Sequence, residues 1–297
     1  MRTDPACVPC FLRGATETAR LLDLPSAERE RFACEAGRLV AKHDPMCSPP
    51  MLGQQVQRCL RAIAGPDPYA AIKATSNALA WRLLPEVADR VASAQDRFEA
   101  ALRYSIAGNC IDFGKGHGIG EPEVLATLER LVDIRLEAEL VNRVRRLCTA
   151  AQRIVFLADN AGEVVFDRLL LERLPAGRVT VIVRGGPVIN DATMADAIQA
   201  RLTDFARVID NGSDAPGTVV TDLTQPAWEA LAEADLVIAK GQGNYESLEP
   251  SSRDHVHLLL VKCAVVANQT GLAQGAPAII HHPGHLSRRL ADSEMIP

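Results

Sequence analysis

The chain has no surplus of positive charge. Its 297 residues carry 32 Lys and Arg against 37 Asp and Glu, a net charge of −5. Nucleic acids and anionic membrane surfaces select clustered positive charge, so neither is an expected partner. An anionic small molecule would need a local pocket of lysine, backbone N–H groups or a metal to overcome the global sign. The chain also lacks an apolar run long enough to span a bilayer, and its first residues, Met1-Arg2-Thr3-Asp4-Pro5, form no apolar signal core. A cytoplasmic protein is the expectation. The most apolar late stretch, Val256 to Ala267, is short and carries Lys262 in its middle, which reads as buried core and not as a membrane segment.

A dense cysteine framework is missing too. The eight cysteines are spread along the chain, as expected of reduced thiols used mostly for packing. Cys7 and Cys10 form the single CxxC. Such a pair can bind metal or exchange disulfides, but zinc needs two further ligands and no second CxxC supplies them. A structural role stays open beside it. No internal repeat is evident, and no GxGxxG follows the first strand of the α/β half.

What is present is an ordinary globular composition, 47% hydrophobic and 23% charged, in a chain long enough for one or two domains. Phe32, Ala36, Leu39 and Val40, then Val56, Cys59, Leu60 and Ile63, recur at helical spacing, with a break from Pro45 to Pro50 between them. Glu121 to Leu147 continues as amphipathic helix. Near residue 150 the pattern changes. Ile154 to Ala158, Val179 to Val183 and Leu236 to Ala239 are short β-rich runs, and helix-like segments separate or follow them. The expected fold is α/β: an all-helical N-terminal region over 1–100 on a Rossmann-like, mostly parallel sheet with flanking helices over 101–297.

In open parallel sheets, ligands gather where strands end and helices begin. Asp159-Asn160-Ala161-Gly162-Glu163 follows the first strand, and Arg184-Gly185-Gly186-Pro187-Val188-Ile189-Asn190-Asp191 follows the second. Asp159, Asn160 and Asp191 together make an oxygen-rich set suited to Mg²⁺ or Mn²⁺. Taken singly, each aspartate reads equally well as a helix cap. After the third strand, Lys240-Gly241-Gln242-Gly243-Asn244 combines a cation with flexible backbone that suits a phosphate. Lys262 either snorkels to the surface or meets an anion. Glu163 would orient a water or a ligand, or else simply favour the helix dipole. Arg184 to Pro187 reads as an anion contact or a turn. Gly114 to Gly120 fails the phosphate-loop pattern and reads as a turn. His281-His282-Pro283-Gly284-His285 lies in a Pro/Gly segment near the terminus, where exposure is usual.

Asp159-Asn160-x-x-Glu163, Asn190-Asp191-Ala192-Thr193, Lys240-Gly241-x-x-Asn244-Tyr245, Lys262 and Gly108-Asn109-x-x-Asp112-Phe113-Gly114 resemble the damage-control phosphatase family, formerly a numbered domain of unknown function. The resemblance spans essentially the whole chain, and Cys7-Val8-Pro9-Cys10 resembles the CxxC of its prokaryotic branch. It implies hydrolysis of small phosphorylated metabolites, damaged or side-product phosphate esters among them, with Mn²⁺, Co²⁺, Ni²⁺ or Mg²⁺ as cofactor. The metal ligands it implies are Asp159, Asn160 and Asp191, and the implied substrate contacts are Asn109, Lys240, Asn244 and Lys262. Where the sugar-phosphate-acting eukaryotic branch has Arg-Thr-x-Lys, this chain reads Leu259-Leu260-Val261-Lys262, which argues against a fructose-phosphate-like preference. Two competitors stand beside this reading: an S-adenosylmethionine-dependent methyltransferase on the same fold, and a non-catalytic binder of phosphorylated metabolites.

Overall fold

The computed structural model describes residues 1–110, 121–248 and 252–294. The Asp112-Phe113-Gly114 part of one motif and the Gly114 to Gly120 turn lie outside the described residues. Among the described residues seven α-helices precede the first strand: α1 (Cys7–Leu21), α2 (Ser26–Lys42), α3 (Pro49–Ala64), α4 (Ala70–Ser93), α5 (Arg97–Ala107), α6 (Glu121–Asp133) and α7 (Ala138–Ala150). Phe32, Ala36 and Val40 form the buried stripe that their spacing predicts. Proline opens α3 at a position where the missing N–H has no partner to lose. α1 to α3 pack around Phe32, Leu60 and Tyr69 in a cluster of their own. Leu79 to Val91 of α4 belong to the core of the sheet, together with α5 and α7. Residue 100 lies inside α5.

The sheet alternates with helices: β1 (Ile154–Leu157), α8 (Glu163–Leu171), β2 (Val179–Val183), α9 (Met194–Gln199), β3 (Arg207–Asp210), α10 (Gln225–Glu233), β4 (Leu236–Lys240), α11 (Gly241–Ser247), β5 (Asp254–Leu260), α12 (Ala264–Thr270), β6 (Pro277–His282) and α13 (His285–Glu294). The strand order is β3-β2-β1-β4-β5-β6. All pairs are parallel except β5 with β6. Ile154 and Phe156 of β1 face the large core, whereas Val155 and Leu157 face a second layer beneath α10, the alternation a strand requires. The Rossmann-like sheet expected from the sequence is thus present. Its order reverses between β1 and β4, and the crevice beyond the carboxyl ends of those strands is where such sheets bind ligands.

Three strands escaped the sequence reading. β3 is a half-exposed edge that begins with Arg207, so it carries no apolar run. β5 starts at Asp254, ahead of the apolar stretch that hides it, and that stretch ends in α12. β6 contains His281 and His282, which corrects their reading as an exposed terminal segment. The His281 Nε2 lies 2.9 Å from Asp254 Oδ1, and its side chain is 3% exposed. No helix among the described residues is long and apolar enough to cross a membrane.

β5 and β6 also bring His255, His257 and His282 together, with His257 5.5 Å from His282 and 5.3 Å from Tyr245 between ring centroids. Burial, reinforced by the neighbouring rings, pushes His255 down to about 4 and His257 down to about 3. The unfolded chain therefore binds more protons than the fold once the pH drops below about 6.5, and this part of the stability drains away from there toward pH 4. Burial pushes Asp159 and Glu246 upward, which acts in the opposite direction, so a difference measurement isolates the histidine. His257→Phe is expected to gain on the parent protein between pH 7 and pH 4, by up to about 1.4 kcal/mol per pH unit. Urea unfolding at several pH values reads this directly. A variant-to-parent difference that does not move with pH would mean His257 is charged in the fold.

Candidate active site at the strand-order reversal

The chain leaving β1 turns at Gly162, whose φ of 79° suits glycine and whose N–H donates to Asn77 Oδ1 at 2.6 Å. The chain leaving β2 loops back so that Ala192 N donates to Asp159 O at 2.7 Å and Ala161 N to Asn190 O at 2.8 Å. An isolated antiparallel bridge pairs Asn160 with Asp191. The backbone itself therefore sets Asp159, Asn160 and Asp191 side by side. Neither aspartate caps a helix. Gly162 precedes α8, and Thr193, in a capping box with Asp196, precedes α9. The capping account of Asp159 and Asp191 falls on that point.

Glu163, the first residue of α8, is fully buried and spends both oxygens. Its Oε1 accepts from Lys240 Nζ at 2.6 Å, and its Oε2 accepts from Asn109 Nδ2 at 2.7 Å and Asn160 Nδ2 at 2.9 Å. The same two amides donate to Asp159 Oδ2, at 2.9 and 2.7 Å. Both NH₂ groups thus face carboxylates, which turns the amide oxygens of Asn160 and Asn109 away from them. Asn109 Oδ1 is buried without a hydrogen bond among the described residues. Burial raises the Asp159 carboxyl well above the usual carboxylate range, and the charges of Glu163 and Asp191 raise it further against the pull of Lys262 and Arg184.

Lys240 and Asn244 do not hold the posts the sequence suggested. Lys240 closes β4 at 0% exposure and gives its ammonium protons to Ser105 O at 2.8 Å, Glu163 Oε1 at 2.6 Å and Asp167 Oδ1 at 2.6 Å. An ammonium has three donors, so none is left for a phosphate. Burial works against its charge, but Asp167 and Glu163 outweigh that and hold it above its ordinary value. Asn244 is equally enclosed. It donates to Lys240 O and Ala158 O and accepts from Thr218 Oγ1, fastening α11 to β4 and β1. The flexible loop expected after Lys240 is in fact α11. Its Gly241 has φ 75°, and a Cβ there would stand 1.8 Å from Asp159 Oδ2. Lys262 is half-buried beyond β5, its backbone N–H held by Gln242 Oε1 at 2.9 Å.

Sequence reasoning missed Asp167 and Ser105 and left Arg184 undecided. Arg184 is 1% exposed. Its Nε donates to Asp191 Oδ2 at 2.6 Å, and its Nη2, which makes no hydrogen bond among the described residues, lies 3.7 Å from Asp159 Oδ1. A signal for Asp167 existed, since it stands four residues after Glu163 on one helical face. Two acids so placed repel unless a cation lies between them.

The family described as "Damage-control phosphatase ARMT1-like domain" matches residues 3–277. The chain belongs to the damage-control phosphatase family. A damage-control phosphatase of Archaeoglobus fulgidus is 34% identical over 284 residues, covering 93% of this chain and 97% of the relative. A damage-control phosphatase of Pyrococcus horikoshii is 30% identical over 287 residues, covering 93% of this chain and 96% of the relative. The crystal structure of a DUF89 family protein from P. horikoshii superposes with a TM-score of 0.84 at 27% identity, covering 95% of this chain and all of the other. Membership in the family bears out the resemblance drawn from the motifs and favours phosphate ester chemistry over the methyltransferase and sensor alternatives.

The donor chemistry here fits a hard divalent cation: two carboxylates and an amide oxygen on adjoining backbone, with buried negative charge in excess. Among the described residues no group of three or more His, Cys, Asp or Glu could hold an ion.

Lys240→Met would leave Glu163 and Asp167 buried with no counter-charge. The expected loss is about 3–5 kcal/mol of stability, measured by urea unfolding, with partial recovery when Asp167→Asn is added. A loss below about 1 kcal/mol would show the ammonium to be no better than a surface pair.

Proposed function

We propose that this protein is a divalent-metal-dependent phosphatase acting on phosphate monoesters of small metabolites, in the manner of metabolite damage control, within the cytoplasm. The observation that carries the reading is the pairing of Asp159-Asn160 with Asp191 at the strand-order reversal, where neither aspartate has a capping duty. Membership in the damage-control phosphatase family supports it independently.

Asp159, Asn160 and Asp191 would hold the cation. Bound there, an ion of the Mg²⁺, Mn²⁺, Co²⁺ or Ni²⁺ class supplies Lewis acidity toward a phosphoryl oxygen and a lowered pKa for water. Glu163 fixes the Asn160 and Asn109 amides by accepting from their NH₂ groups, which leaves the Asn160 oxygen for the cation. It acts by positioning, because both of its oxygens are committed. Lys262, whose charge already reaches Asp159, offsets the phosphate's negative charge. Arg184 Nη2 offers a second buried donor beside Asp159. Lys240 and Asn244 serve the same centre from behind, by holding Glu163 and α11. Direct attack by water is favoured over a phospho-enzyme at Asp159, since an aspartate that holds a cation is a weak nucleophile.

The test is phosphate release from a panel of phosphate monoesters by protein stripped with chelator and then supplied with each ion in turn. Chelation is expected to stop turnover and at least one ion to restore it. Asp159→Asn and Asp191→Asn should each lower kcat by about 100-fold or more and weaken ion binding in calorimetry. Turnover that survives chelation, or tight ester binding without cleavage under every ion, would defeat the proposal in favour of a metal-free enzyme or a sensor.

A further inference from the structure

A second hollow adjoins the site, and the phosphate chemistry does not account for it. A cavity of about 360 Å³ lies where α1 and α3 meet the sheet domain, a volume typical of small-molecule pockets. Its helical wall is apolar, with Phe11, Ala15, Pro49, Pro50 and Val56 prominent. Its opposite wall comes from the loops that carry the site. Ile189 stands two residues before Asp191, Gln242 follows the Gly241 that touches Asp159, and Cys263 follows Lys262. Gln242 also joins the two places directly, since its Oε1 accepts from Lys262 N at 2.9 Å while its Nε2 donates toward Cys263 Sγ at 3.5 Å.

The charge distribution of this space is one-sided. Lys262 and Arg184 stand toward the site end, whereas no Lys, Arg or His among the described residues lines the cavity. Among the described residues the single carboxyl in its wall is Glu246, mostly buried and pushed up to about 7 by that burial, with the Met1 ammonium bonded to its backbone carbonyl at 2.6 Å. A second anionic group on a ligand would meet no Lys, Arg or His side chain among the described lining residues, and would lose much of its hydration against the apolar wall. Uncharged carbon, by contrast, exchanges water for the proline, phenylalanine and valine surface.

We propose that this cavity receives the organic half of the substrate, and that the protein selects monoesters with a single phosphate on an uncharged, largely apolar group, rejecting bisphosphates and phosphorylated carboxylates. The inference rests on the phosphatase reading above and narrows its substrate class. Gln57, Gln242 and Thr18 add polar atoms along the wall, enough to admit a hydroxyl or an amide on the organic group.

A matched series separates the possibilities: hexyl phosphate, 6-hydroxyhexyl phosphate, 6-phosphonooxyhexanoate and hexane-1,6-diyl bisphosphate. The first two are expected to be cleaved with kcat/KM at least about tenfold above the last two, a modest ratio for apolar discrimination. Gly14→Phe is the structural control. Gly14 lines the cavity from α1, a Cβ there meets nothing within 4 Å, and replacing a helical glycine favours the helix. The substitution should raise KM for hexyl phosphate and leave inhibition by inorganic phosphate unchanged. Gly53→Ala, which places a methyl 3.0 Å from Pro216 Cγ across the same space, should act in the same direction. Calorimetry with hexylphosphonate and methylphosphonate reads the cavity without turnover, and the hexyl compound should bind at least about tenfold more tightly, an advantage lost in Gly14→Phe. Equal or preferred cleavage of the bisphosphate overturns the inference, as does a folded Gly14→Phe with unchanged hexyl selectivity. Absence of phosphate release from every ester defeats the phosphatase reading alone, provided the phosphonate preference persists.

Discussion

Four carboxylates, those of Asp159, Glu163, Asp167 and Asp191, are buried at one edge of the sheet, and among the described residues they face three cations, Lys240, Arg184 and Lys262. Buried like charges at such range repel strongly, so the arrangement persists only because hydrogen bonds and counter-charges are placed with care. Glu163 is the centre of that arrangement. It takes the ammonium of Lys240 on one oxygen and two asparagine amides on the other. Those amides also donate to Asp159 Oδ2, so two acids share the same pair of donors. Burial first, and then the charges of Glu163 and Asp191, push the Asp159 carboxyl upward, and a divalent cation would relieve both.

The backbone keeps this hollow tight. β1 and β4 diverge in connectivity at the reversal of strand order, which opens a crevice, but the loops behind Asp159 and Asp191 close over it with mutual hydrogen bonds. α11 then approaches so closely that only a glycine at 241 clears Asp159. Asn244, one turn further along α11, ties the helix back to Lys240 and Ala158. Lys240 and Asn244 therefore matter to the site without reaching its contents. A loss of function on changing either one would report a displaced Glu163 or Gly241 before it reported a lost ligand contact.

The limits of the sequence follow from the same geometry. β1, β2 and β4 were legible because buried parallel strands read as apolar runs; Asp159 and Asn160 stood out because they follow the first run directly, whereas Asp191 lies eight residues past β2 and is brought beside them by the loop's return. A lysine after a strand looks the same in one dimension whether it faces a ligand or a pair of acids, so Lys240 was assigned to phosphate when its protons go to Glu163, Asp167 and Ser105. Its true partner was half visible, since Glu163 and Asp167 share a helical face that demands a cation. Ser105 gives its backbone carbonyl to Lys240 and its hydroxyl to Asp167 Oδ1 at 2.6 Å, but it lies inside α5, far along the chain from both, so nothing nearby in the sequence announced it. Arg184 was undecided for a related reason, because only the return of the loop onto Asp159 shows that its guanidinium points inward. β3 and β6 hid behind a charged edge and a run of histidines.

The separation of the cores has a further consequence. α1 to α3 pack in their own cluster, whereas the carboxylate network is anchored by α5, α8 and the sheet. The two meet at several places: Gln54 and Arg58 of α3 bond Asp214, Arg61 donates to Pro187 O at 2.6 Å, and Ile189, two residues from Asp191, packs against the helical cluster. Ile189 holds φ at 44°, a conformation that a β-branched residue adopts only when its surroundings dictate it. The position of α1 to α3 and the position of Asp191 are therefore mechanically linked through the loop that carries Ile189, which Arg61 also holds at Pro187 O, although no polar contact with the carboxylates is needed for the link. Substitutions deep in the helical cluster that leave Ile189 seated can reshape the neighbouring cavity without disturbing the acids. Substitutions that unseat it relax the backbone under Asp191, so the chemistry responds along with the fit of the substrate.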